Sequence, residues 1–417
     1  MALKKLSLTL GAVSVIVLGA DNAQAAGFYI QEQSVKGLGT SFAGSTTSID
    51  DASTIYFNPA GMTKLDGAQV NAGVHLLIPH ADVDDTGSTF GGGAVGGADN
   101  GNPFDPTPIP NLYAATPIDL GGQKIWTGLG VSAPFGLGSD YGDDSVFRFD
   151  STETQLTTIN VAPSIAYEIN ENISIGGGVD VQYADAELKS AVFAGANGTS
   201  TLEGDDISVG YNVGVTVKPI DSTKVGLHYR SAISHDLDGK IIVAGSGAAD
   251  IDINGGAALD LPDIATIGVE HSVNDKFRVM GQTTWFGWNN FQTIRAIDEN
   301  GVERSNVEQN YQNTLAFAVG TEYDFDRNLT VRAGYQFDET PTVDEFRTTR
   351  TPDGDRHWFS GGATYKVSNK IDIDVAATYI NVAPGPINVT RNGGLATVNA
   401  ETDGYVGIVA GGVNYKF

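Results

Sequence analysis

Apolar and polar residues alternate with a period of two along most of this chain. In the segment 371–379 the odd positions are apolar, while Asp372 and Asp374 occupy even positions. Near the C-terminus one face carries only apolar or small residues, namely Tyr405, Gly407, Val409, Gly411, Val413, Tyr415 and Phe417. Because successive side chains of a strand point to opposite faces, this period predicts β-strands with two unlike faces.

The connections between these segments are of two kinds that alternate strictly. Short polar turns lie at 119–123, 170–172, 219–223, 273–275, 326–328 and 367–369. Long loops lie near 82–108, 142–154, 190–205, 242–258, 297–308, 339–355 and 384–398. These thirteen connections predict fourteen strands. Short turns at one end and long loops at the other are typical of an outer-membrane barrel.

The predicted fold class is therefore all-β, a 14-stranded antiparallel transmembrane β-barrel. Closure is required because an open sheet edge would leave backbone groups unpaired in hydrocarbon. Aromatic residues stand where interfacial girdles are expected: Tyr167, Tyr229, Trp285, Trp288, Tyr323, Tyr335, Trp358, Tyr365, Tyr415 and Phe417. Such residues concentrate at membrane–water interfaces. A secreted β-sandwich or solenoid is the alternative.

The first 66 residues do not follow the strand pattern. Lys4 and Lys5, the apolar run 6–19 and the small residues Ala23 and Ala25 predict a cleavable export signal over residues 1–25. Residues 26–66 lack sustained alternation. We expect them to form a hatch that plugs the lumen of a barrel built from residues 67–417.

Composition narrows the possible functions. The formal net charge is −26, and the chain contains no cysteine. Such acidity would repel phosphates, which argues against a nucleic-acid partner. Without disulfides, an exported chain is expected to be held together by a closed ladder of backbone hydrogen bonds.

The mature part of the chain carries short motifs in a definite order. They are Ala26-Gly27-Phe28, Gly37-Leu38-Gly39, Asp50-Asp51-Ala52, Asn58-Pro59-Ala60 and, much later, Pro352-Asp353-Gly354-Asp355-Arg356-His357-Trp358. In these motifs and their spacing the chain resembles the FadL family, outer-membrane transporters of long-chain fatty acids and related hydrophobic compounds. The resemblance spans essentially the whole mature chain.

The resemblance implies a route for a hydrophobic small molecule. The cargo is captured in an apolar groove among extracellular loops, passes to a pocket in the lumen, and leaves sideways through a gap in the wall. The protein would be a monomer in the outer membrane of a Gram-negative bacterium, surrounded by lipid and lipopolysaccharide. No reaction, cofactor or metal is implied.

Lateral exit requires a defect in the wall, and the third strand offers a candidate. Pro134 cannot donate to a strand ladder, and Gly136 beside it favours a bend. The resemblance implies an inward kink at Pro134, Phe135 and Gly136, with the small residues Ala133 and Thr107 bordering the opening. An ordinary bulge without a transport role is the alternative.

The resemblance also assigns roles within the hatch. The motif Asn58-Pro59-Ala60 is expected to pack near the kink, although the same residues are also a turn signal. We further expect ligand binding to displace the residues just after Ala26, among them Phe28, and so to open a path toward the kink.

The sequence leaves the chemical nature of the cargo open. The resemblance implies basic side chains near a bound carboxylate, at positions where this chain has Ser190 and Val307. Lys189 and Arg304 are adjacent to these positions and are the candidate substrate-binding cations. Long-chain fatty acids are the leading cargo. Neutral aromatic hydrocarbons are the alternative cargo, and they are favoured by the displacement of the basic residues from their expected positions to adjacent ones.

Other readings concern the extracellular loops and the class of function. Val146, Phe147 and Phe149 follow the kinked strand and are candidates for lining the capture groove, with packing between loops as the alternative. Acidic loop residues such as Asp82 and Asp84 form no complete calcium loop.

An outer-membrane enzyme acting on lipids and an open porin are the competing functions, although no catalytic set is recognisable.

Overall fold

The computed structural model describes residues 27–99, 101–194, 196–245 and 250–417. The predicted export signal, residues 1–25, lies outside these ranges. Within them the strands form one antiparallel sheet, which closes because the first strand pairs with the last, from Gln69↔Lys416 to Asp85↔Ala400. The predicted fold class, a 14-stranded β-barrel, is confirmed.

Fourteen strands, several of them interrupted, make up the wall in the described ranges. The first seven are β1 Gln69–Asp85, β2 Thr107–Leu120, β3 Gln123–Ser132 with Gly136–Asp140, β4 Glu153–Asn170, β5 Ile173–Ala194, β6 Ala196–Ile220, and β7 Thr223–Arg230 with Ile233–Ala244. The others are β8 Ile251–Leu261 with Ile264–Ser272, β9 Phe277–Phe286 with Thr293–Asp298, β10 Glu303–Glu308 with Thr314–Asp324, β11 Leu329–Asp338, β12 Arg356–Lys366, β13 Ile371–Arg391 and β14 Ala396–Lys416.

The six short turns fall where the sequence predicts them, but four predicted loops are wrong in part. Strands cover most of 242–258, where β7 ends at Ala244 and β8 begins at Ile251, and most of 297–308, where β9 ends at Asp298 and β10 begins at Glu303. The strands β5 and β6 continue through most of 190–205, with Ser190 paired to Ser200. The strands β13 and β14 likewise cross most of 384–398, with Asn388 paired to Asn399. Polar residues there resemble a loop in sequence. Where the strands extend beyond the membrane, however, their side chains face water, so polar residues can form the same backbone ladder.

The alternation predicted for the last strand is visible in its burial. Tyr405, Val409 and Val413 are exposed on the outer surface of β14, while Val406 and Ile408 between them are buried. A barrel in lipid needs such an outward apolar band.

The girdle prediction is correct for Tyr323, Tyr365, Tyr415 and Phe417, whose side chains are exposed. It is wrong for Trp288 and Trp358, which are completely buried. Both point into the barrel and meet aromatic residues of the hatch: Trp358 contacts Phe42, and Trp288 contacts Phe28.

Residues 27–65 lie inside the barrel and are mostly buried. They form two single-turn helices, α1 Val35–Leu38 and α2 Thr54–Phe57, followed by a 3₁₀ helix at Pro59–Lys64. No helix in the described ranges has the length and apolar character needed to cross a bilayer.

The hatch approaches the wall so closely that glycine is needed at the contact points. A Cβ atom at Gly334 would lie 2.0 Å from the backbone of Thr40, and one at Gly214 would lie 2.0 Å from Oδ1 of Asn58. These glycines belong to β11 and β6, so the hatch is fitted against widely separated strands of the wall.

One buried cation of the wall bonds to the hatch. Arg230 on β7 pairs with Asp180 on β5 and also donates to the backbone carbonyl of Tyr56 over 3.1 Å. Within the hatch, the buried ammonium of Lys36 lies 2.6 Å from the exposed Asp50 and 3.3 Å from the buried Asp51. Buried charges are costly unless they are paired, and here each buried cation has an anionic partner.

Candidate functional site

The barrel wall is open between β2 and β3. The two strands are paired along residues 112–120 of β2. Beyond that ladder the described residues show no pairing between them: Gly136–Asp140 pairs with β4, and residues 107–111 pair with β1. At the extracellular end the N–H of Asp140 donates to the carbonyl of Pro103 over 2.9 Å. The opening is therefore closed above and below.

The residues predicted to form the lateral gate border this opening. Ala133, Pro134 and Phe135 interrupt β3, which resumes at Gly136. Thr107 begins the opposite edge on β2 and is fully buried. The structure thus brings the five residues to one place, while their role in release stays a prediction.

The first hatch residues pair with the interrupted strand from the luminal side. The N–H of Ile30 donates to the carbonyl of Pro134 over 2.8 Å, and the N–H of Gly136 donates to the carbonyl of Phe28 over 3.0 Å. Between these bonds Tyr29 and Phe135 oppose each other as an antiparallel bridge. The hatch thereby supplies part of the backbone pairing that β2 does not provide.

Two side chains satisfy the remaining backbone groups of the interruption. The amide of Gln33 donates to the carbonyl of Ala133 over 2.8 Å, and its oxygen accepts the N–H of Ala133 over 3.3 Å. The hydroxyl of Thr158 on β4 lies 2.9 Å from the N–H of Phe135 and 2.7 Å from its carbonyl oxygen. The carboxamide of Gln33 therefore makes the two hydrogen bonds to Ala133 that the backbone of a neighbouring strand would otherwise make.

An apolar cavity lies beside this seal. Strands β3 to β8 each contribute one leucine to it: Leu137, Leu156, Leu188, Leu202, Leu237 and Leu259. Phe28, Phe291 and Ile294 complete the apolar surface. Its lining of leucine and phenylalanine side chains suits an apolar molecule.

Phe28 connects the cavity to the seal. Its ring lines the cavity and lies 4.8 Å from the ring of Trp288, 5.1 Å from Phe291 and 6.1 Å from Phe135 of the interruption. The neighbouring N–H of Gly27 donates to Asp353 over 2.9 Å. A molecule entering the cavity would therefore meet the residue whose backbone closes the gap.

Glu32 is a buried carboxyl group within the sealing segment. It is fully buried, and no other side chain of the described residues donates to it. Burial raises the pKa of Glu32 to about 7, although the positive charge of Arg356 opposes the shift. The segment thus contains a group that titrates near neutral pH.

The two predicted substrate-binding cations are engaged elsewhere. Lys189 on β5 pairs with Glu153 and Glu187 at 2.7 and 2.5 Å. Arg304 on β10 pairs with Asp298 and has its side chain 42% exposed. Neither residue lines the cavity.

A different cation, Arg350, lines the cavity instead, and its guanidinium donates to the backbone carbonyl of Lys189 over 3.0 Å. A basic group therefore does reach the end of β5, but it comes from the loop between β11 and β12.

Val146, Phe147 and Phe149 lie between loops. Val146 and Phe147 are buried in a cluster formed by the loop after β3 and the upper parts of β1, β13 and β14. Phe149 stacks on Phe90 with ring centroids 4.6 Å apart. The three side chains do not line the cavity. Their predicted part in capture stays a prediction and would require the loops to move.

The motif Asn58-Pro59-Ala60 packs against β5 and β6. The amide of Asn58 donates to the carbonyls of Thr46 and Val215 at 2.9 and 3.2 Å. Ala60 lies against Gly176 of β5. Residues 28–33 contact the kink directly, and the expectation that the motif also packs near it stays a prediction. The motif holds the hatch to β5 and β6.

Sequence reasoning did not identify three features of this site. Gln33 carries no signal, because an isolated glutamine is common. Pro108 and Pro110 are a missed signal: proline within a strand marks an edge, and at these positions the described residues pair β2 with β1 but not with β3. The six leucines could have been found as apolar residues on the inward face, which is normally polar in such barrels.

The described residues contain no group of three or more His, Cys, Asp or Glu side chains placed to hold a metal ion. Asp298, in the acidic loop between β9 and β10, accepts the N–H groups of Asn300 and Val302 and pairs with Arg304. Its oxygen atoms are thus already bonded within the protein.

A family model and the known proteins that resemble this chain point to the same family. Residues 16–417 match the family model described as "Outer membrane protein transport protein (OMPP1/FadL/TodX)". The long-chain fatty acid transport protein of Escherichia coli O6:H1 is 28% identical over 456 residues, which cover 99% of this chain and 100% of that protein. Outer membrane protein P1 of Haemophilus influenzae is 28% identical over 427 residues, covering 91% of this chain and 90% of that protein.

Two solved structures share the fold. A Pseudomonas aeruginosa FadL homologue has a TM-score of 0.88 at 23% identity, covering 94% of this chain and 100% of that chain. The Pseudomonas putida toluene transporter TodX has a TM-score of 0.64 at 16% identity, covering 95% of this chain and 100% of that chain. At these identities the likeness is one of architecture.

Proposed function

Because this chain belongs to the OMPP1/FadL/TodX family of outer-membrane transport proteins, we propose that it carries hydrophobic small molecules across the outer membrane of a Gram-negative bacterium. Relatives are named for long-chain fatty acids and for toluene. The chain acts as a passive carrier and catalyses no reaction.

The observation that carries this proposal is the sealed opening beside the apolar cavity. Residues 28–33 close a break in the wall from inside, and Phe28 belongs to both the seal and the cavity. A ligand in the cavity displaces Phe28, which breaks the two backbone bonds to the interruption of β3. The cargo then leaves sideways between β2 and β3 into the membrane.

The lateral route follows from the cost of hydration. Each CH₂ group exposed to water costs about 0.8 kcal/mol, so a long hydrocarbon cannot cross a watery channel cheaply. Moving from the cavity directly into hydrocarbon keeps the chain out of water at every step. The polar outer leaflet is the barrier that this route bypasses.

Locking the seal tests the proposal. Tyr29 and Phe135 form the bridge between two flanking hydrogen bonds, a pair type whose Cα atoms lie about 4.5 Å apart. Such a distance suits a disulfide. In the variant Tyr29→Cys/Phe135→Cys the engineered pair meets no competing thiol, because the chain has no cysteine. We expect oxidised cells to lose uptake of labelled oleate and toluene, and reduction to restore it.

Single variants Tyr29→Cys and Phe135→Cys, treated with the same oxidant, are the matched controls, because each loses one aromatic ring without forming the link. Their uptake should not depend on the redox state. Full uptake by the oxidised double variant, with the disulfide verified by mass spectrometry, would show that cargo does not pass through this gap.

A further inference from the structure

Prolines recur at every second position along the rim that β2 presents to the opening. Pro108 and Pro110 lie within β2, and Pro106 directly precedes the strand. On β1, the residues opposite Pro110 and Pro108 are Val74 and Leu76, whose side chains are exposed on the outer surface of the wall. The rim with its alternating prolines therefore faces the membrane.

The backbone groups of Pro108 and Pro110 point toward β3. On β1 the N–H of Ala81 and the carbonyl of Pro79 bond to the side chain of Asn102, which lies on the β2 side because β14 occupies the other side. Odd-numbered residues of β1 therefore point to β2, and the register opposes them to odd-numbered residues of β2. Backbone groups alternate in direction along a strand, so the even-numbered Pro108 and Pro110 point into the opening.

A longer ladder between β2 and β3 would bring these prolines opposite the interruption. The ladder runs without a register shift over residues 112–120 of β2. Continued in that register, it would place Pro110 opposite Ala133. The next such pair would be Pro108 and Phe135. Residues opposed in this way normally exchange two hydrogen bonds, but proline has no N–H, so both carbonyls on β3 would lack a donor on β2.

Two other side chains give these carbonyls the donors that β2 lacks. The amide of Gln33 donates to the carbonyl of Ala133 over 2.8 Å and accepts its N–H over 3.3 Å. The hydroxyl of Thr158 donates to the carbonyl of Phe135 over 2.7 Å. The interruption therefore makes more hydrogen bonds when its backbone turns away from β2 than it would make against the prolines.

Proline also makes an unpaired edge compatible with lipid. An N–H without a partner is costly in hydrocarbon, and an open strand edge pairs readily with other strands. Pro108 and Pro110 occupy both positions of the unpaired stretch 107–111 that point into the opening, so this rim offers no N–H there. The rim can remain unpaired without an exposed donor.

We propose that Pro108 and Pro110 keep the lateral opening from closing, because they deny β3 the hydrogen bonds that would extend its pairing with β2. They are positioning residues, which act through the backbone of Ala133 and Phe135. The effect on uptake rests on the proposed function, whereas the strand pairing is measured separately from uptake.

The test restores the missing donors with the variant Pro108→Val/Pro110→Val and determines which partner Ala133 then uses. Hydrogen exchange at the amide of Ala133 is measured in detergent with and without the further change Gln33→Ala. With the native prolines, Gln33→Ala should accelerate this exchange about 30-fold. In the double-valine variant β2 replaces the carboxamide, so the acceleration should stay below about threefold.

Closing the opening should also reduce transport. Uptake of labelled oleate and toluene by cells producing Pro108→Val/Pro110→Val should fall about tenfold or more, the shift that one or two added hydrogen bonds give. Heat-modifiable migration in gel electrophoresis verifies that the barrel is folded. The single variant Pro110→Val, which restores only the donor opposite Ala133, serves the same exchange measurement if the double variant does not fold.

Pro117→Val is the matched control. Pro117 lies in the same strand, but it is odd-numbered, so its backbone groups point away from β3 and lie beyond the end of the ladder with β1. Uptake and exchange should remain native in this variant. An equal loss of uptake in Pro117→Val and in Pro108→Val/Pro110→Val would overturn the inference, because replacing any proline of the strand would then suffice.

The exchange measurement separates this inference from the proposed function. If exchange at Ala133 still depends fully on Gln33 in the double-valine variant, the prolines do not hold the opening, whatever the uptake. If the ladder extends and uptake stays native, the prolines do hold the opening, but cargo does not leave through it, which contradicts the proposed function.

Discussion

At the scale of single residues, the seal depends on side chains that stand in for missing backbone. Gln33 offers a carbonyl and an N–H in nearly the arrangement of a peptide group, and Ala133 bonds to both. The wall can therefore be interrupted at a membrane-facing position without leaving these groups unpaired.

Gln33→Ala is expected to loosen the seal by about 2 kcal/mol, because two buried backbone groups lose their partner. Amide hydrogen exchange at Ala133 and Ile30 should accelerate by about 30-fold. Thr47→Ala is the control: its hydroxyl bonds to Gly44 within the hatch, away from the opening. Unchanged exchange at Ala133 in Gln33→Ala would mean that the carboxamide contributes nothing to closure.

Glu32 makes the seal sensitive to pH. Burial raises its pKa to about 7, so the folded state binds the proton more tightly than the unfolded chain, in which a glutamate has its ordinary pKa of 4.5. Stability of the hatch is therefore highest below pH 4.5, falls as the pH rises to about 7, and is constant above it.

The full change for Glu32 amounts to about 3 kcal/mol. Hydrogen exchange of the sealing amides, corrected for intrinsic rates and measured from pH 5 to 8, should show this loss of protection in the native protein. Glu32→Gln should give a flat profile. A flat profile in the native protein would contradict a buried, titrating Glu32.

Among single residues, the sequence did not reveal which cation lines the cavity. Lys189 and Arg304 were selected by position along the strands, yet each is neutralised by carboxylates that lie across a strand or hairpin. Arg350 reaches the same region from a loop whose path no local pattern specifies. Which cation faces the cavity is decided by tertiary contacts, so spacing along the chain could not reveal it.

At the scale of elements, the strands were well predicted because their two faces have different surroundings, lipid on the outside and the interior of the barrel on the inside. Alternation, turn chemistry and loop asymmetry all specify β1 to β14. The failures occur where that contrast disappears: Trp288 and Trp358 face an aromatic hatch instead of lipid, and the β5–β6 hairpin rises into water.

The fit between hatch and strands gives an element-scale prediction. Gly214→Ala on β6 would place a Cβ atom 2.0 Å from Oδ1 of Asn58, which must then move away from its bonds to Thr46 and Val215. Overpacking of this kind costs about 1–3 kcal/mol. Exchange protection of residues 58–64 should fall accordingly.

Gly411→Ala is the matched control, because this glycine also lies within a strand but has no atom within 4 Å of the added methyl group. Equal exchange in Gly214→Ala and Gly411→Ala would show that the hatch does not rely on close contact with β6.

At the scale of the whole molecule, the barrel is filled and should conduct poorly. Residues 27–65 occupy the lumen and contact strands all around it. In planar bilayers we expect no large steady current from the native protein, brief openings more often in Gly214→Ala, and native behaviour in Gly411→Ala. A steady ohmic current from the native protein would indicate a general porin.

The bond between Gly27 and Asp353 spans 326 positions of the chain. Gly27 can therefore bond to its partner only after β11 and the loop before β12 have been synthesised. Phe28, Tyr29 and Ile30 find their partners much earlier in the chain, at Pro134, Phe135 and Gly136. Contacts between such distant residues form late, because a long loop must close first. We therefore expect the bond of Gly27 to Asp353 to form after the contacts of residues 28–30 with β3, so that the start of the hatch is anchored last.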